Sequence, residues 1–123
     1  MILCDTDVYI EYFKGKADAK SLFDKIGVSN LAISAVTVME LYYGALNARE
    51  LGKIKEAIST LRMIIIGSEV CQKAIDLMER YSKSHGLRIP DALIAATAIS
   101  HSSPLLTYNS RDFQFIADIT LYH

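Results

Sequence analysis

Apolar residues change their spacing several times along this chain. Between 70 and 81, Val70, Ala74, Leu77, Met78 and Tyr81 recur at i, i+4, i+7, i+8 and i+11, with Glu69, Lys73, Asp76, Glu79, Arg80 and Lys83 interleaved. That spacing predicts an amphipathic helix. Gly86 marks its stop, and His85 stands beside it where the helix dipole favours a basic side chain. Leu51, Ile54, Ile58 and Leu61 repeat the pattern, as do Ala19, Leu22, Phe23 and Ile26. Between these stretches lie short continuous apolar runs: Ile2 to Cys4, Leu31 to Ile33, Met63 to Ile66, Leu105 to Thr107 and Ile119 to Leu121. Such runs read as strands buried on both faces of a parallel sheet. Pro90 and Pro104 each stand just before a predicted element, where a missing N–H is harmless. The alternation predicts an α/β fold, a three-layer α/β/α sandwich around a central, mainly parallel sheet of about five short strands. With 123 residues and no repeat, linker or low-complexity segment, it is expected to be a single domain over residues 1–123.

Composition narrows the class without naming a function. Hydrophobic residues are 51% and charged residues 22%, which excludes disordered and collagen-like chains. A net charge of −1 gives no global attraction to nucleic acid or to an anionic membrane, so either partner would need a local patch. The start, Met-Ile-Leu-Cys followed by Asp5 and Asp7, lacks the basic region of a signal peptide. The uncharged run from Ala92 to Ser103 is too short to span a bilayer. The expected compartment is cytoplasmic, with no membrane partner. The two cysteines, Cys4 and Cys71, are expected to be reduced, buried small hydrophobes. Histidines at 85, 101 and 123 offer no zinc-site spacing.

In an open parallel sheet, ligands sit beyond the carboxyl ends of the strands. Asp5 follows the first predicted strand, Glu40 the second and Asp112 the fourth, while Asp91 opens the helix that begins at Pro90. Capping alone can explain any one of them, because acids favour helix N-termini. Thr37 and Glu40 have capping-box spacing, and Asn109 could cap with Asp112 at the third position. Two features point further. Glu40 is surrounded by Val36, Val38, Met39, Leu41, Tyr42 and Tyr43, and no charge follows Asp91 from Ala92 to Ser100. A charge in such surroundings costs several kcal/mol unless compensated, and neither segment offers a basic partner. Hard oxygen ligands without Cys or His suit Mg²⁺ or Mn²⁺ as the compensator.

These segments also carry a resemblance. Leu3-Cys4-Asp5-Thr6-Asp7 with Tyr9-Ile10, Ser34 to Thr37 with Glu40-Leu41 and Gly44-Ala45, Pro90 to Ala98, and Leu106 to Asn109 with Asp112-Phe113 run from end to end of the chain. Together, in this order, they resemble a PIN-domain ribonuclease, and closely the VapC-type toxins of toxin–antitoxin pairs. The resemblance implies a Mg²⁺-dependent endoribonuclease with its acidic metal and catalytic residues at Asp5, Glu40, Asp91 and Asp112. It also implies supporting roles for Thr6 and Asn109, a homodimer, and an antitoxin protein as partner. Position 7 departs from the family, which often has Ser or Asn there. Asp7 is expected as a helix N-cap, with the alternative that it adds a fifth charge to the site.

One or two divalent ions could polarise a phosphodiester and activate water. Four acids repel RNA, and Arg111, Arg88, Lys14 and Lys16 are the cations expected to offset this. Tyr42, Tyr43 and Leu46 either extend the apolar surface for association or belong to the core. A haloacid-dehalogenase-like phosphatase, with Asp5 as nucleophile and Asp7 as general acid, is one alternative. A non-catalytic PIN-fold interaction module is the other. Serine-triad chemistry has no support, since no Gly-x-Ser-x-Gly elbow occurs and Ser100-His101 falls at a predicted helix end.

Overall fold

The computed structural model describes residues 1–123. Four strands, β1 (Ile2–Cys4), β2 (Leu31–Ser34), β3 (Arg62–Ile64) and β4 (Leu105–Leu106), form one sheet in the order β3-β2-β1-β4. All pairings are parallel, with Leu3 opposite both Ala32 and Leu105. Six helices connect and cover them: α1 (Thr6–Phe13), α2 (Ala17–Ile26), α3 (Ala35–Gly44), α4 (Ala48–Ile58), α5 (Ser68–His85) and α6 (Ile89–Ser100).

The side-chain period of two along each strand divides the core. Leu3, Ala32 and Leu105 face α5, α6 and the apolar residues Phe113 and Ile116. Cys4, Leu31, Ile33 and Leu106 face the opposite layer, built from Val8 and Tyr9 of α1, Phe23 of α2 and Ile58 of α4. Helix α3 serves both, with Val36 in the first cluster and Val38 and Leu41 in the second. This is the expected three-layer sandwich.

Three local expectations are corrected. The run at Ile119 to Leu121 forms no strand but a single bridge between Leu121 and Leu105, so a four-stranded sheet carries one extra rung. Leu105 N donates to Thr120 O and Tyr122 N donates to Leu105 O, both at 2.8 Å, and the pairing goes no further than this rung. The third strand is an edge, with Arg62 and Met63 exposed and only Ile64 buried, because no strand lies beyond it. Cys71 is exposed, on the polar side of α5, whereas Cys4 is buried in the sheet as expected. Burial, followed by the charges of Asp5 and Asp7, pushes the Cys4 thiol well above its usual range, which makes it an inert packing residue.

Helix α6 is buried almost all round, through Ala92 and Ile94 to Ala98, as its lack of charge suggested. Gly86 ends α5 in the left-handed conformation at φ 70°, with its N–H donating to Tyr81 O. His101 caps the far end of α6, its Nδ1 lying 3.0 Å from Thr97 O.

Candidate active site

The chain passes from β1 to β2 and β3 on one side, then returns to place β4 on the other side of β1. The carboxyl ends of β1 and β4 therefore flank the topological switch point, where open parallel sheets hold their ligands. Asp5 follows β1 and Thr107 follows β4. The Thr107 hydroxyl donates to Asp5 Oδ2 at 2.8 Å across this crevice.

Asp5, rather than Asp7, is the N-cap of α1, and its Oδ1 accepts from Thr6 N at 2.7 Å. The cap has to sit where the chain leaves the strand, and that is one residue past Cys4. Asp7 lies in the first turn instead. Its Oδ2 accepts from Tyr108 N at 3.1 Å and Asn109 Nδ2 at 3.0 Å, tying α1 to the loop after β4. Its Oδ1 is buried with no hydrogen-bond partner.

The capping-box reading of Thr37 and Glu40 is also corrected. Ser34 caps α3, accepting from Thr37 N at 3.1 Å. The freed Thr37 hydroxyl joins a chain of hydroxyl groups. Ser34 Oγ donates to Thr37 Oγ1 at 3.3 Å, and Thr6 Oγ1 donates to Glu40 Oε1 at 2.8 Å. With those two protons directed, the 2.9 Å contact between Thr37 and Thr6 is a donation from Thr37. The chain orients half-buried Glu40 through Thr6, the supporting residue expected from the sequence. Asn109 stands at the N-cap of the short 3-10 turn Ser110–Asp112 but makes no side-chain cap bond, because its amide is spent on Asp7. Its own N–H donates to Thr107 Oγ1 at 3.0 Å.

The acids sense one another's charge. Burial first, then Asp7 and Asp91, push the Asp5 carboxyl up to about 7, against the opposing hydrogen bonds from Thr107 and Thr6. Burial also raises Asp7, and the Tyr108 N–H works against it. Asp91 is pushed up to about 6 by burial, then by Asp112 and Glu40, with Arg88 pulling the other way. The couplings link Asp5, Asp7, Glu40, Asp91 and Asp112 into one electrostatic group. The protein's two ion pairs, Lys14 with Glu11 and Lys73 with Asp118, involve none of these five.

The donor set suits a hard divalent cation. It contains only oxygen ligands and no ion pair neutralises it, and beside it one oxygen of Asp7 is buried without a partner. As they stand, no three of these side chains are close enough together to hold a metal ion between them. Mg²⁺ does not require three, since it keeps several waters and takes one or two carboxylates together with substrate phosphate.

The expected cations are distributed around this group. Arg88 precedes α6 and acts on Asp91, and exposed Arg111 stands in the turn that holds Asp112. Lys14 lines a groove of about 470 Å³ with Glu40, Ile10, Phe13 and Ile54. Lys53 of α4 lines the same groove and was missed, because nothing in its local sequence distinguishes it from a surface lysine. Lys16 lines a separate depression with Tyr108 and Glu11. Thr107 and Ser34 were quoted in the motif segments but given no role. The bond of Thr107 to Asp5 spans 102 positions, and no local spacing signals it, whereas Ser34 stands three residues before Thr37, the local spacing of an N-cap.

The PIN domain family matches residues 2–119. The chain belongs to this family. It is 33% identical over 111 residues to Ribonuclease VapC10 of Mycobacterium tuberculosis, covering 89% of this chain and 83% of that one. It is 30% identical over 123 residues to Ribonuclease VapC19 of the same species, covering 97% of each. A toxin-antitoxin complex from Klebsiella pneumoniae superposes with a TM-score of 0.83 at 32% identity, over 98% of this chain and 96% of that chain. A FitAcB structure from Neisseria gonorrhoeae gives 0.81 at 27% identity, over 100% and 97% of the two chains. The PIN assignment displaces the phosphatase alternative, which also lacks support at the site. Its general acid would be Asp7, whose Oδ2 is already engaged by Tyr108 and Asn109, and no lysine pairs with Asp5.

Proposed function

We propose that this PIN domain is a Mg²⁺- or Mn²⁺-dependent endoribonuclease acting as the toxin of a type II toxin–antitoxin pair in the cytoplasm. The observation that carries the reading is the group of acids at the switch point, two of them pushed up to about 7 and about 6 with no ion-pair partner. Asp5, Glu40, Asp91 and Asp112 would hold the ion, directly or through its water ligands, with Asp5 as the central ligand. Bound there, the metal would polarise the phosphate and lower the pKa of a coordinated water.

The protein's own residues supply position and charge. Thr107 and the Thr6 N–H fix the Asp5 carboxylate, and Thr6 fixes one oxygen of Glu40 and leaves the other free. Asp7 and Asn109 hold the loop after β4 against α1. Arg88, Arg111, Lys14 and Lys16 offset the repulsion between the acids and the RNA backbone. Attack of water on phosphorus with departure of the 3′ oxygen leaves 5′-phosphate and 3′-hydroxyl ends. The non-catalytic alternative would leave this group of acids without ion-pair partners and without a purpose.

Partners follow from the relatives and from one exposed face. The relatives are named ribonucleases, and one structural neighbour is a toxin-antitoxin complex. On α3 and just after it, Tyr43 is 93% and Leu46 84% exposed, with Met39 and Ile10 nearby in the same groove system, while Tyr42 packs against the core. This surface is apolar enough for a homodimer contact. Sedimentation is expected to give a dimer at micromolar concentration, and monomer alone would count against it.

The deciding experiment incubates the protein with single-stranded RNA in millimolar Mg²⁺ and in excess EDTA. Cleavage only with metal is expected. Cleavage at an undiminished rate in EDTA would rule the reading out.

A further inference from the structure

An aromatic cluster joins the end of α5 to the segment that follows Asp112. The His85 and Phe115 rings stack with centroids 4.5 Å apart and planes 18° from parallel. The Tyr81 ring meets both edge-on, at 5.7 Å from His85 and 5.3 Å from Phe115. The Ala117 N–H donates to the Tyr81 hydroxyl at 3.3 Å, which pins the C-terminal segment to α5. Arg80 lies over the Tyr81 ring at 5.3 Å. His85 Nδ1 is 2.8 Å from Ser84 Oγ, a contact that orients the imidazole and leaves Nε2 unengaged. His85 is exposed although one of its faces is covered by Phe115, which is itself half-buried.

Position makes this cluster more than a surface contact. Phe115 is three residues from Asp112, so their Cα atoms are at most roughly 11 Å apart at ~3.6 Å per residue. His85 ends α5, and Asp91 lies in the first turn of α6, across the short connection that contains Arg88. Exposed Arg88 and Arg111 stand in these same two segments, Arg88 between His85 and Asp91 in the chain and Arg111 beside Asp112. Single-stranded nucleic acid is held by just this pairing of cations for the backbone and aromatic faces for the bases.

We propose that the outer face of His85 is a stacking platform for one RNA base next to the cleaved phosphate, with Phe115 and Tyr81 as its rigid backing. This rests on the nuclease reading and adds to it a base-binding subsite that the sequence pattern does not contain. His85 is a binding residue in this assignment, and Phe115 and Tyr81 position it.

The test uses the full chain, single-stranded RNA and three variants. Steady-state cleavage is measured in Mg²⁺ for wild type, His85→Ala, His85→Leu and His85→Phe. Binding is read in parallel by quenching of 2-aminopurine placed beside the cleavage position, on an Asp5→Asn background that prevents turnover. Loss of one stacked base should raise KM about tenfold in His85→Ala and His85→Leu and abolish quenching. His85→Phe should retain both KM and quenching. His85→Leu fills a similar volume against Phe115, so a packing role alone predicts wild-type KM for it, and that result would overturn the platform. A His85→Phe variant as weak as His85→Leu would overturn stacking in favour of a polar contact. A wild-type protein that cleaves no RNA would overturn the nuclease reading itself, whereas cleavage indifferent to His85→Leu removes only the platform.

Discussion

The two ends of β1 bury polar side chains under opposite rules. At the amino end, Ser103 is 5% exposed. Its hydroxyl accepts from Leu3 N at 3.0 Å and lies 3.1 Å from Met1 O, to which it donates. A neutral group with its donor and acceptor both used costs little to bury. At the carboxyl end, Asp5 is 6% exposed and potentially charged, faces two other acids, and has no ion-pair partner. One end closes the seam between β1 and β4. The other keeps an electrostatic conflict that a bound cation would relieve. Tolerating such a conflict in an otherwise well-satisfied domain is the mark of a site shaped by binding rather than by stability.

The sharpest way to break this contrast is to neutralise the acidic end. Asp5→Asn or Asp91→Asn should lower metal-dependent RNA cleavage by about a thousandfold or more, the scale of several kcal/mol of lost charge stabilisation. The fold should survive, as circular dichroism would report. Cleavage within tenfold of wild type would remove these carboxylates from the site.

The next largest effect is on stability against pH. Between about pH 4 and 7 the unfolded carboxyls are ionised, while Asp5, pushed up to about 7, and Asp91, pushed up to about 6, keep protons in the folded state. The folded state then binds more protons, so raising the pH favours unfolding. Stability of the metal-free protein should fall across this window, by on the order of several kcal/mol. Urea melts in EDTA from pH 4.5 to 8 measure it, and Asp5→Asn should flatten the curve. A wild-type profile that rises with pH over this range would contradict the raised Asp5 and Asp91 carboxyls.

Metal should reverse that loss. Mg²⁺ at a hundredfold excess over its dissociation constant should stabilise the wild type by about 2.7 kcal/mol and raise its melting temperature. Asp5→Asn should melt above wild type in EDTA and gain less from Mg²⁺. If every acid variant melts below wild type in EDTA and Mg²⁺ shifts none, the shared metal site is wrong.

The satisfied end gives the smaller, metal-blind effects. Ser103→Ala should cost about 1 kcal/mol with or without Mg²⁺ and leave cleavage unaltered. Ser34→Ala should cost a similar ~1 kcal/mol as a lost cap, whereas Glu40→Gln should cost less than ~0.5 kcal/mol in EDTA, because Ser34 and not Thr37 caps α3. Thermal melts of the pair decide which residue is the cap.

Local pattern carried most of the architecture of this protein. The 3.6-residue spacing around Leu77 and the short buried runs at Leu3 and Ile33 are properties of consecutive residues, and they determine which side chains face the core. The same parallel alternation sends Asp5, Glu40, Asp91 and Asp112 toward one edge, so the acids were legible before their contacts were. The family motifs added the expected chemistry, because they combine these residues in order.

What only the tertiary structure decided depends on bonds between distant segments. Thr107 meets Asp5 across 102 positions, and Thr6 meets Glu40 across 34. No local rule couples such positions, so Asp7 read as a cap when it is a tether, and Thr37 read as a cap when it is a link in a hydroxyl chain. The fifth strand shrank to one bridge at Leu121 because pairing needs neighbours on both chains, not apolar residues on one. Cys71 came to the surface because its face of α5 was set by the helix packing. The stack of His85 on Phe115 joins residues that carry no shared pattern, and only folding brings their rings together.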